Sequence, residues 1–321
     1  MIRKIYWLAI PVLALVLSGA CSTITEELYP CVNYLRFTYT MNMKHVDAFD
    51  REVKRIDVFV FDENGRFVTR LSDRSERFGK DYAMELDLPV GKFHLVAWAG
   101  LSEESYLFPT QWVEGECPVD RLTVKMRREA DATLRRELAA LWHAEAHVEI
   151  VAGESRTTVL DLIKDTNKLR IVVQGENGMG LNKDVVDFVI RSKNGFLNYD
   201  NSLLEDDVVS YKPYYQSDAD MGEASSVAAV VAEMNTLRLM ENEPTRLVAV
   251  DNMGHTLIDI DLIHYLLLTK MEGYSMSAQE YLDRQDEYAL IFFLSKDAMG
   301  NYMVVQVKIN DWIIRPQEGD F

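Results

Sequence analysis

Short stretches of alternating apolar and polar residues limit the fold of this chain more than any other feature. Between residues 56 and 62, Ile56, Val58 and Val60 fall on one side of an extended chain, whereas Phe59 and Phe61 fall on the other. The Asp-Glu-Asn-Gly sequence at 62–65 then supplies the residues of a tight hairpin. Comparable segments recur at 82–88, 93–99, 122–127, 185–192, 225–234, 288–295 and 301–312. Short strands at this spacing predict a mainly β chain built as β-sandwiches.

Only a few short helices are expected. Residues 260–271 have helical spacing, with Asp259 or Asp261 as the N-cap. Ser277 and Glu280 have the spacing of a capping box ahead of a second helix. A turn or short helix, followed by a strand, is predicted from the spacing of Leu134, Leu138 and Leu141.

The length of 321 residues is typical of two domains. A polar stretch at 164–168 precedes a new strand, and we place the boundary near residue 165. The expected organisation is therefore one β-sandwich at 31–164 and a second at 165–321.

The first twenty residues have the layout of a secretory signal. Arg3 and Lys4 precede an uncharged apolar run at 5–17, which is too short to cross a bilayer as a helix. Small residues follow, and then Cys21, the position at which lipoprotein signal peptidase cuts after the thiol has been diacylated. We therefore expect a lipoprotein signal peptide at 1–20, a lipidated Cys21 and a tether at 21–30. Ordinary cleavage that leaves Cys21 as a free thiol is the alternative.

Cys31 and Cys117 are the two remaining cysteines. In an exported chain, two cysteines most simply form one disulfide, and we predict that pair here. The alternative is that both are buried free thiols.

The formal net charge of −17 argues against nucleic acid as a partner, because phosphate binding needs clustered Lys and Arg. His143, Glu145 and His147 are the best metal candidates, but the chain has no HExxH or paired CxxC motif, and packed histidines are the preferred interpretation. Asp218, Asp220 and Gly222 resemble the start of a calcium loop whose twelfth position would be Ala229 instead of Glu. We expect no metal, cofactor or small-molecule substrate.

No nucleophile elbow, Walker loop or dinucleotide-binding motif occurs in the sequence. The chain has 51 acidic residues, so adjacent acidic residues are best explained as parts of solvated loops. The protein is therefore not expected to be an enzyme.

A family resemblance extends over the whole chain after the leader. The matching features are Pro30-Cys31, a strand rich in Arg, Phe and Tyr at 36–39, Asn42-Met43, Asp47 to Phe49, and an alternating strand that ends in the turn at 62–65. Further matches lie at 88–100, 140–150, 166–174 and 307–316. Together they resemble the fimbrium anchor subunits of the FimB/Mfa type, lipoproteins of Bacteroidales.

This resemblance implies two tandem transthyretin-like β-sandwich domains, anchored by lipid on Cys21 to the outer membrane at the cell surface. It also implies that the protein holds the base of a fimbrium, limits its length, and pairs with the terminal stalk subunit by strand complementation. Open sheet edges accept strands readily. The candidate edges are the C-terminal segment 310–321 and the groove beside the first strand.

Three alternatives remain open at this stage. The first is a stalk or tip subunit of a fimbrium. The second is a surface lipoprotein that binds glycans through exposed aromatic residues, although such residues more often fill cores; the candidates are Trp98, Trp112, Tyr214 and Tyr215. The third is a hydrolase.

Overall fold

The computed structural model describes residues 32–176, 179–219, 227–270, 275–310 and 312–314. These ranges form mostly β-strands, together with three short α-helices and one 3₁₀ turn at Val119–Arg121. Up to residue 164 the elements are β1 (Asn33–Thr38), α1 (Phe49–Glu52), β2 (Arg55–Asp62), β3 (Phe67–Arg74), β4 (Ala83–Leu86), β5 (Gly91–Ala99), β6 (Tyr106–Leu107), β7 (Val124–Met126), β8 (Thr133–Leu134), β9 (Trp142–Ile150), β10 (Thr157–Asp161) and β11 (Ile163–Lys164).

The remaining elements lie in the second half of the chain. They are β12 (Thr166–Glu176), β13 (Asp187–Ser192), β14 (Phe196–Leu197), β15 (Val209–Tyr211), β16 (Tyr215–Asp218), β17 (Val227–Leu237), β18 (Arg246–Val250), β19 (Thr256–Asp261), α2 (Leu262–Leu267), α3 (Ala278–Arg284), β20 (Glu287–Lys296), β21 (Tyr302–Ile309) and β22 (Trp312–Ile314). The predicted mainly β architecture with few short helices is confirmed.

Two sheets enclose the N-terminal core. Sheet 1 has the order β10-β1-β4, and sheet 2 has the order β11-β9-β5-β2-β3. The core between them contains Leu35 and Phe37 from β1 and Ile56, Val58 and Val60 from β2. These are the residues that the alternating pattern placed on one face of the 56–62 strand.

The other face of sheet 2 is also buried. Phe59, Phe61 and Trp98 are fully buried on that face. They belong to a second core that runs on into the C-terminal half of the molecule. Because burying each such side chain contributes about 1.5–3 kcal/mol, the two halves are joined by a substantial apolar contact.

The C-terminal half is also built from two sheets. Sheet 3 has the order β16-β17-β12-β20-β21-β22, with β12 and β20 parallel, and sheet 4 has the order β19-β18-β13-β15-β8. Their inner faces contribute Leu169, Ile171, Phe188, Ile190 and Phe292 to the second core.

Strand pairs cross the predicted boundary near residue 165. Strand β8 pairs with β15 in sheet 4, and β7 pairs with β14 in the small sheet 5, whose order is β14-β7-β6. The segment between β5 and β9 therefore contributes strands to sheets of the second half. The division of the chain into domains at residue 165 stays a prediction.

Both predicted helix starts in the C-terminal half are confirmed. Asp261 caps α2, its side chain accepting a hydrogen bond from the backbone N–H of His264 at 3.1 Å. Ser277 caps α3 in the same way, through the N–H of Glu280 at 3.1 Å. None of the described helices has the length and apolar character that crossing a membrane requires.

The predicted turn or short helix around Leu134 to Leu141 is not a helix. Leu134 lies in β8, and residues 135–141 have no regular structure. Leu134, Leu138 and Leu141 are nevertheless all buried in the second core. The three leucines are therefore spaced as on a helix because an irregular segment buries each of them in the core.

Candidate functional site

The turn at residues 198–202, here called the Tyr199 turn, joins the two halves of the molecule. Its backbone is tight: the N–H of Asn201 donates to the carbonyl of Asn198, and Asn201 has a positive φ of 63°. His143 of β9 donates from Nε2 to the Tyr199 carbonyl oxygen at 2.7 Å. Burial lowers the pKa of His143 to about 4, so the imidazole is neutral at physiological pH and serves as a fixed donor.

Three buried polar residues and one nearly buried arginine meet behind this turn and form what we call the junction network: Asp165, Asn201, Asp283 and Arg238. Asn201 donates from Nδ2 to Oδ1 of Asp165 at 2.8 Å. Arg238 makes two 2.8 Å hydrogen bonds to the Asp283 carboxylate and donates to the Asn201 carbonyl oxygen at 2.6 Å. Its guanidinium is 4.0 Å from Asp165. The network therefore ties the start of β12 to the Tyr199 turn, to the end of β17 and to α3.

Two oxygens of this network have no hydrogen-bond partner among the described residues, namely Oδ2 of Asp165 and Oδ1 of Asn201. Burial raises the pKa of Asp165 to about 7, although Arg238 and the Asn201 amide both pull it down. Protonation would turn Oδ2 of Asp165 into a donor, and an acid–amide pair with Asn201 would then satisfy both oxygens. We therefore interpret Asp165 as a carboxylic acid below neutral pH.

We expect Asp165→Asn to remove a pH dependence of stability. Because the folded pKa of Asp165 lies above its ordinary value of 3.8, the folded state binds more protons than the unfolded state between those values. Wild-type stability should therefore fall as the pH rises from about 4 to about 8, by roughly 2–4 kcal/mol from this group. The neutral amide should lack this loss and be the more stable protein at the upper pH, as measured by urea unfolding at both values.

Asp206→Asn is the matched control for this experiment. Burial opposes ionisation of Asp206, but hydrogen bonds from Arg128 and Lys125 outweigh it and lower the pKa. The control should therefore lose stability at the upper pH. Equal pH slopes for wild type and Asp165→Asn would contradict a proton on Asp165.

The histidine and glutamate candidates lie on one face of β9, as a strand requires. His147 stacks on His94 of the neighbouring β5 with ring centroids 4.3 Å apart, and Glu145 lies 3.1 Å from Nε2 of His94. The side chain of His143 does not join this group; it is hydrogen-bonded to the Tyr199 turn instead. In the described part of the chain, no three His, Cys, Asp or Glu side chains are grouped so as to hold a metal ion.

Two other sets of predicted residues fall partly outside the described ranges. Of the calcium-loop candidates, Asp218 accepts a hydrogen bond from the Lys183 N–H at 2.6 Å, whereas Asp220 and Gly222 are not described. Cys21 and Cys31 are not described either. Cys117 is buried and has no disulfide partner among the described residues, and its sulfur accepts a hydrogen bond from the Val113 N–H at 3.3 Å. The disulfide and the lipidation stay predictions.

The aromatic candidates do not form an exposed platform. Trp98 is fully buried, and Trp112 packs against Phe59, Phe61 and Phe67. Tyr214 is half-buried, and only Tyr215 is exposed, by 52%. The four residues therefore cannot form one sugar-binding surface, and that alternative is wrong.

The two predicted strand-accepting edges have different outcomes. Strand β1 is hydrogen-bonded on both sides, to β10 in parallel and to β4 in antiparallel, so the groove beside it is already filled and that prediction is wrong. At the C-terminal end, β22 is the edge of sheet 3 and pairs with β21 over three residues. That edge is open in the described structure.

In the segment 301–312, Met303, Val305, Val307 and Ile309 alternate with residues of the other face, which predicts one apolar face of the strand, but a β-bulge interrupts this face. The register of β20 and β21 shifts between Phe293 and Leu294, so Leu294 pairs with Val304. Beyond the bulge Val304 faces the core, while Met303 and Val305 turn outward. These two side chains and Trp312 and Ile313 of β22 are between 45% and 62% exposed, which gives the edge an apolar surface.

Comparison with solved structures finds this fold in bacterial proteins described as polysaccharide-binding proteins, adhesins and a fimbrial anchor. A candidate polysaccharide-binding protein from Bacteroides thetaiotaomicron is 37% identical, with a TM-score of 0.81 over 91% of this chain and 100% of that chain. A candidate adhesin from the same species is 34% identical, with a TM-score of 0.78 over 90% and 99%. The fimbrial anchor protein Mfa2 from Porphyromonas gingivalis, at 17% identity, shares the fold with a TM-score of 0.72 over 90% and 100%. No curated protein matches the chain.

The fold and these matches define a β-sandwich protein of the adhesin and fimbrial-subunit class. The family model described as fimbrillin-A associated anchor proteins Mfa1 and Mfa2 matches residues 28–318. The chain belongs to this family, as its sequence resemblance predicted. It is a family of fimbrial anchor proteins and not of enzymes, and membership associates the protein with fimbriae at the cell surface.

Proposed function

We propose that this protein is the lipid-anchored base of a fimbrium, holding the filament at the outer membrane and limiting its length. The match of the anchor-protein family model to residues 28–318 is the observation on which the proposal depends. The terminal stalk subunit is the proposed partner. A stalk or tip subunit is the alternative within the same class.

Lipid on Cys21 would supply the attachment. Two or more acyl chains hold a protein stably on a bilayer, whereas a single chain binds marginally. An anchored first residue also leaves no free N-terminal end from which a filament could continue, which gives a physical reason for limited growth.

The open edge of sheet 3 is the proposed place for strand complementation. Its last strand, β22, has no strand on its outer side among the described residues, and Trp312 and Ile313 offer side-chain contacts there, with Met303 and Val305 further along β21. A strand from the stalk subunit added there would satisfy the backbone groups and cover those side chains.

We expect Cys21→Ala to release the protein from the membrane, because no thiol remains to carry the acyl chains. Cell fractionation should move it from the outer-membrane fraction to the soluble fraction, and electron microscopy should show shed filaments. Thr23→Ala, which keeps the cysteine, is the matched control and should stay on the membrane. Retention of Cys21→Ala in the membrane fraction would sink the lipid-anchor proposal.

A second function, contact with surface glycans, is favoured by one observation. The relative at 37% identity is described as a candidate polysaccharide-binding protein, and it is covered over its full length. Such contact is compatible with a place in a fimbrium and does not depend on the lipid anchor.

A further inference from the structure

The small sheet 5 exposes a row of three side chains on its outer face. The register pairs Leu107 of β6 with Lys125 of β7, and Lys125 with Phe196 of β14. Lys125 Nζ lies 4.9 Å from the centre of the Phe196 ring, and Leu107 is 44% exposed. The opposite face of the sheet, with Tyr106, Val124 and Met126, is buried in the second core. The buried face of sheet 5 therefore holds the backbone under Leu107, Lys125 and Phe196 in place.

Two arginines beside this row have no carboxylate partner among the described residues. Arg127 follows Lys125 by two positions, is exposed, and forms no ion pair in the described part of the chain. Arg136 donates to two backbone oxygens, those of Glu104 and of Arg127 at 3.0 Å, and to no carboxylate. Two arginines without a direct ion pair in the described structure are unusual in a chain whose net charge is −17.

The buried carboxylate of Asp206 holds two cationic side chains beneath this surface. Asp206 binds Arg128 through two hydrogen bonds of 2.7 and 2.8 Å and also contacts Lys125 at 2.8 Å. Gly195 makes room for this arrangement, since a Cβ there would lie 2.7 Å from Oδ2 of Asp206. The lysine of the row is thereby held in place before any ligand arrives.

Two adjoining grooves of about 450 and 580 Å³ meet at Leu107, Lys125 and Arg127, which line both. We call this surface the Arg127 groove. Its second half is lined by Phe108, Phe196 and Glu103, and its first half by Arg135, Arg136, Glu104 and Glu129, of which Glu129 is paired with Arg135. The cationic groups of the groove outnumber these carboxylates, and apolar and aromatic side chains line it as well.

We propose that the Arg127 groove binds an anionic polysaccharide. Guanidinium groups hold carboxylate or sulfate groups with charge-assisted hydrogen bonds, and aromatic faces stack on sugar rings. A peptide strand would instead need a free backbone edge, but the two edge strands of sheet 5, β6 and β14, have only two residues each. Recognition therefore has to come from side chains above the sheet, which suits a sugar chain better than a peptide.

This inference rests on the second proposed function, glycan contact, and names its site and the class of glycan. Purified full chain is titrated calorimetrically with four probes: alginate, dextran sulfate, neutral dextran and poly-glutamate. We expect binding to the first two and no binding to the last two. Arg127→Gln should weaken alginate binding by about tenfold, since one charge-assisted contact is lost.

Arg36→Gln is the matched control, because Arg36 is also exposed but lies on β1 of sheet 1. It should bind alginate as the wild type does. Folding of both variants is checked by circular dichroism, and neither side chain has a partner to lose in the described structure.

The other outcomes separate the two proposals. Binding of neutral dextran alone, unaffected by Arg127→Gln, would overturn the Arg127 groove and leave glycan contact standing. No binding of any polysaccharide would overturn both. Equal weakening by Arg36→Gln, or equally tight binding of poly-glutamate, would show general attraction of acidic polymers and overturn the inference.

Discussion

Replacing Arg238 with Met is expected to lower the free energy of unfolding by about 3–5 kcal/mol. The guanidinium is nearly buried and holds Asp283 through two hydrogen bonds, with Asp165 4.0 Å away. Met fills similar space without a charge, so among the described residues only the Gln279 amide would still donate to the buried Asp283, at 2.9 Å. A buried ion left without its partner retains its full desolvation cost, which is the reason for the large effect.

The loss should be larger at about pH 8 than at about pH 5, because Asp165 is a second uncompensated charge only when it is ionised. Chemical denaturation at the two pH values measures the difference. Arg246→Met is the matched control: Arg246 pairs with Asp259 at the surface, where both side chains are about half exposed. That pair should cost less than about 1 kcal/mol. Equal losses for the two variants would mean that the junction network contributes no more than a surface ion pair.

Gly100→Ala is expected to be the second most damaging single change, at roughly 3 kcal/mol or more. Gly100 follows β5 directly, has a φ of 78°, and donates from its N–H to the Arg55 carbonyl at 3.0 Å. A Cβ there would lie 2.1 Å from the carbonyl oxygen of Ala140. Because that oxygen belongs to backbone, the chain leading into β9 must move, and the buried Trp142 nearby must move with it.

Gly153→Ala separates this clash from the cost of positive φ. Gly153 has a φ of 75°, and a Cβ there would meet nothing within 4 Å. It should therefore lose only about 1 kcal/mol, the ordinary penalty for a left-handed alanine. Thermal unfolding of both variants tests the difference, and similar melting temperatures would argue against close packing at Gly100.

The sequence predicted local structure well where one interaction decides it. The 62–65 hairpin is formed as expected, with Gly65 at φ 71° and its N–H bonded to the Asp62 carbonyl at 3.0 Å. The Asp261 and Ser277 caps also depend only on residues three positions away. In β21, the predicted burial of Val307 and Ile309 is confirmed, whereas that of Met303 and Val305 is wrong. The bulge between them depends on the partner strand, which the pattern of one strand does not contain.

The junction network could not be predicted from the sequence, because it too depends on residues from distant parts of the chain. Asp165, Asn201, Arg238 and Asp283 are far apart in the chain, and each is an ordinary polar residue in its own segment. Burial gives them their properties, and burial is a consequence of the complete fold. The Arg127 groove did leave a trace, since two Arg-Arg pairs occur within residues 127–136 of a strongly acidic chain. That local excess of positive charge was the available signal.

In the proposed role as the base of a fimbrium, the place of β1 in the middle of sheet 1 has a mechanical consequence. Tension from the membrane side would enter at the start of β1, and the chain leaves its parallel neighbour β10 at the opposite end. The two strands would then be pulled in shear, so the bonds between them share the force instead of opening one after another. The strand β4 on the other side adds further bonds to the same strand. A first strand that is paired on both sides would resist unfolding when flow pulls on the attached filament.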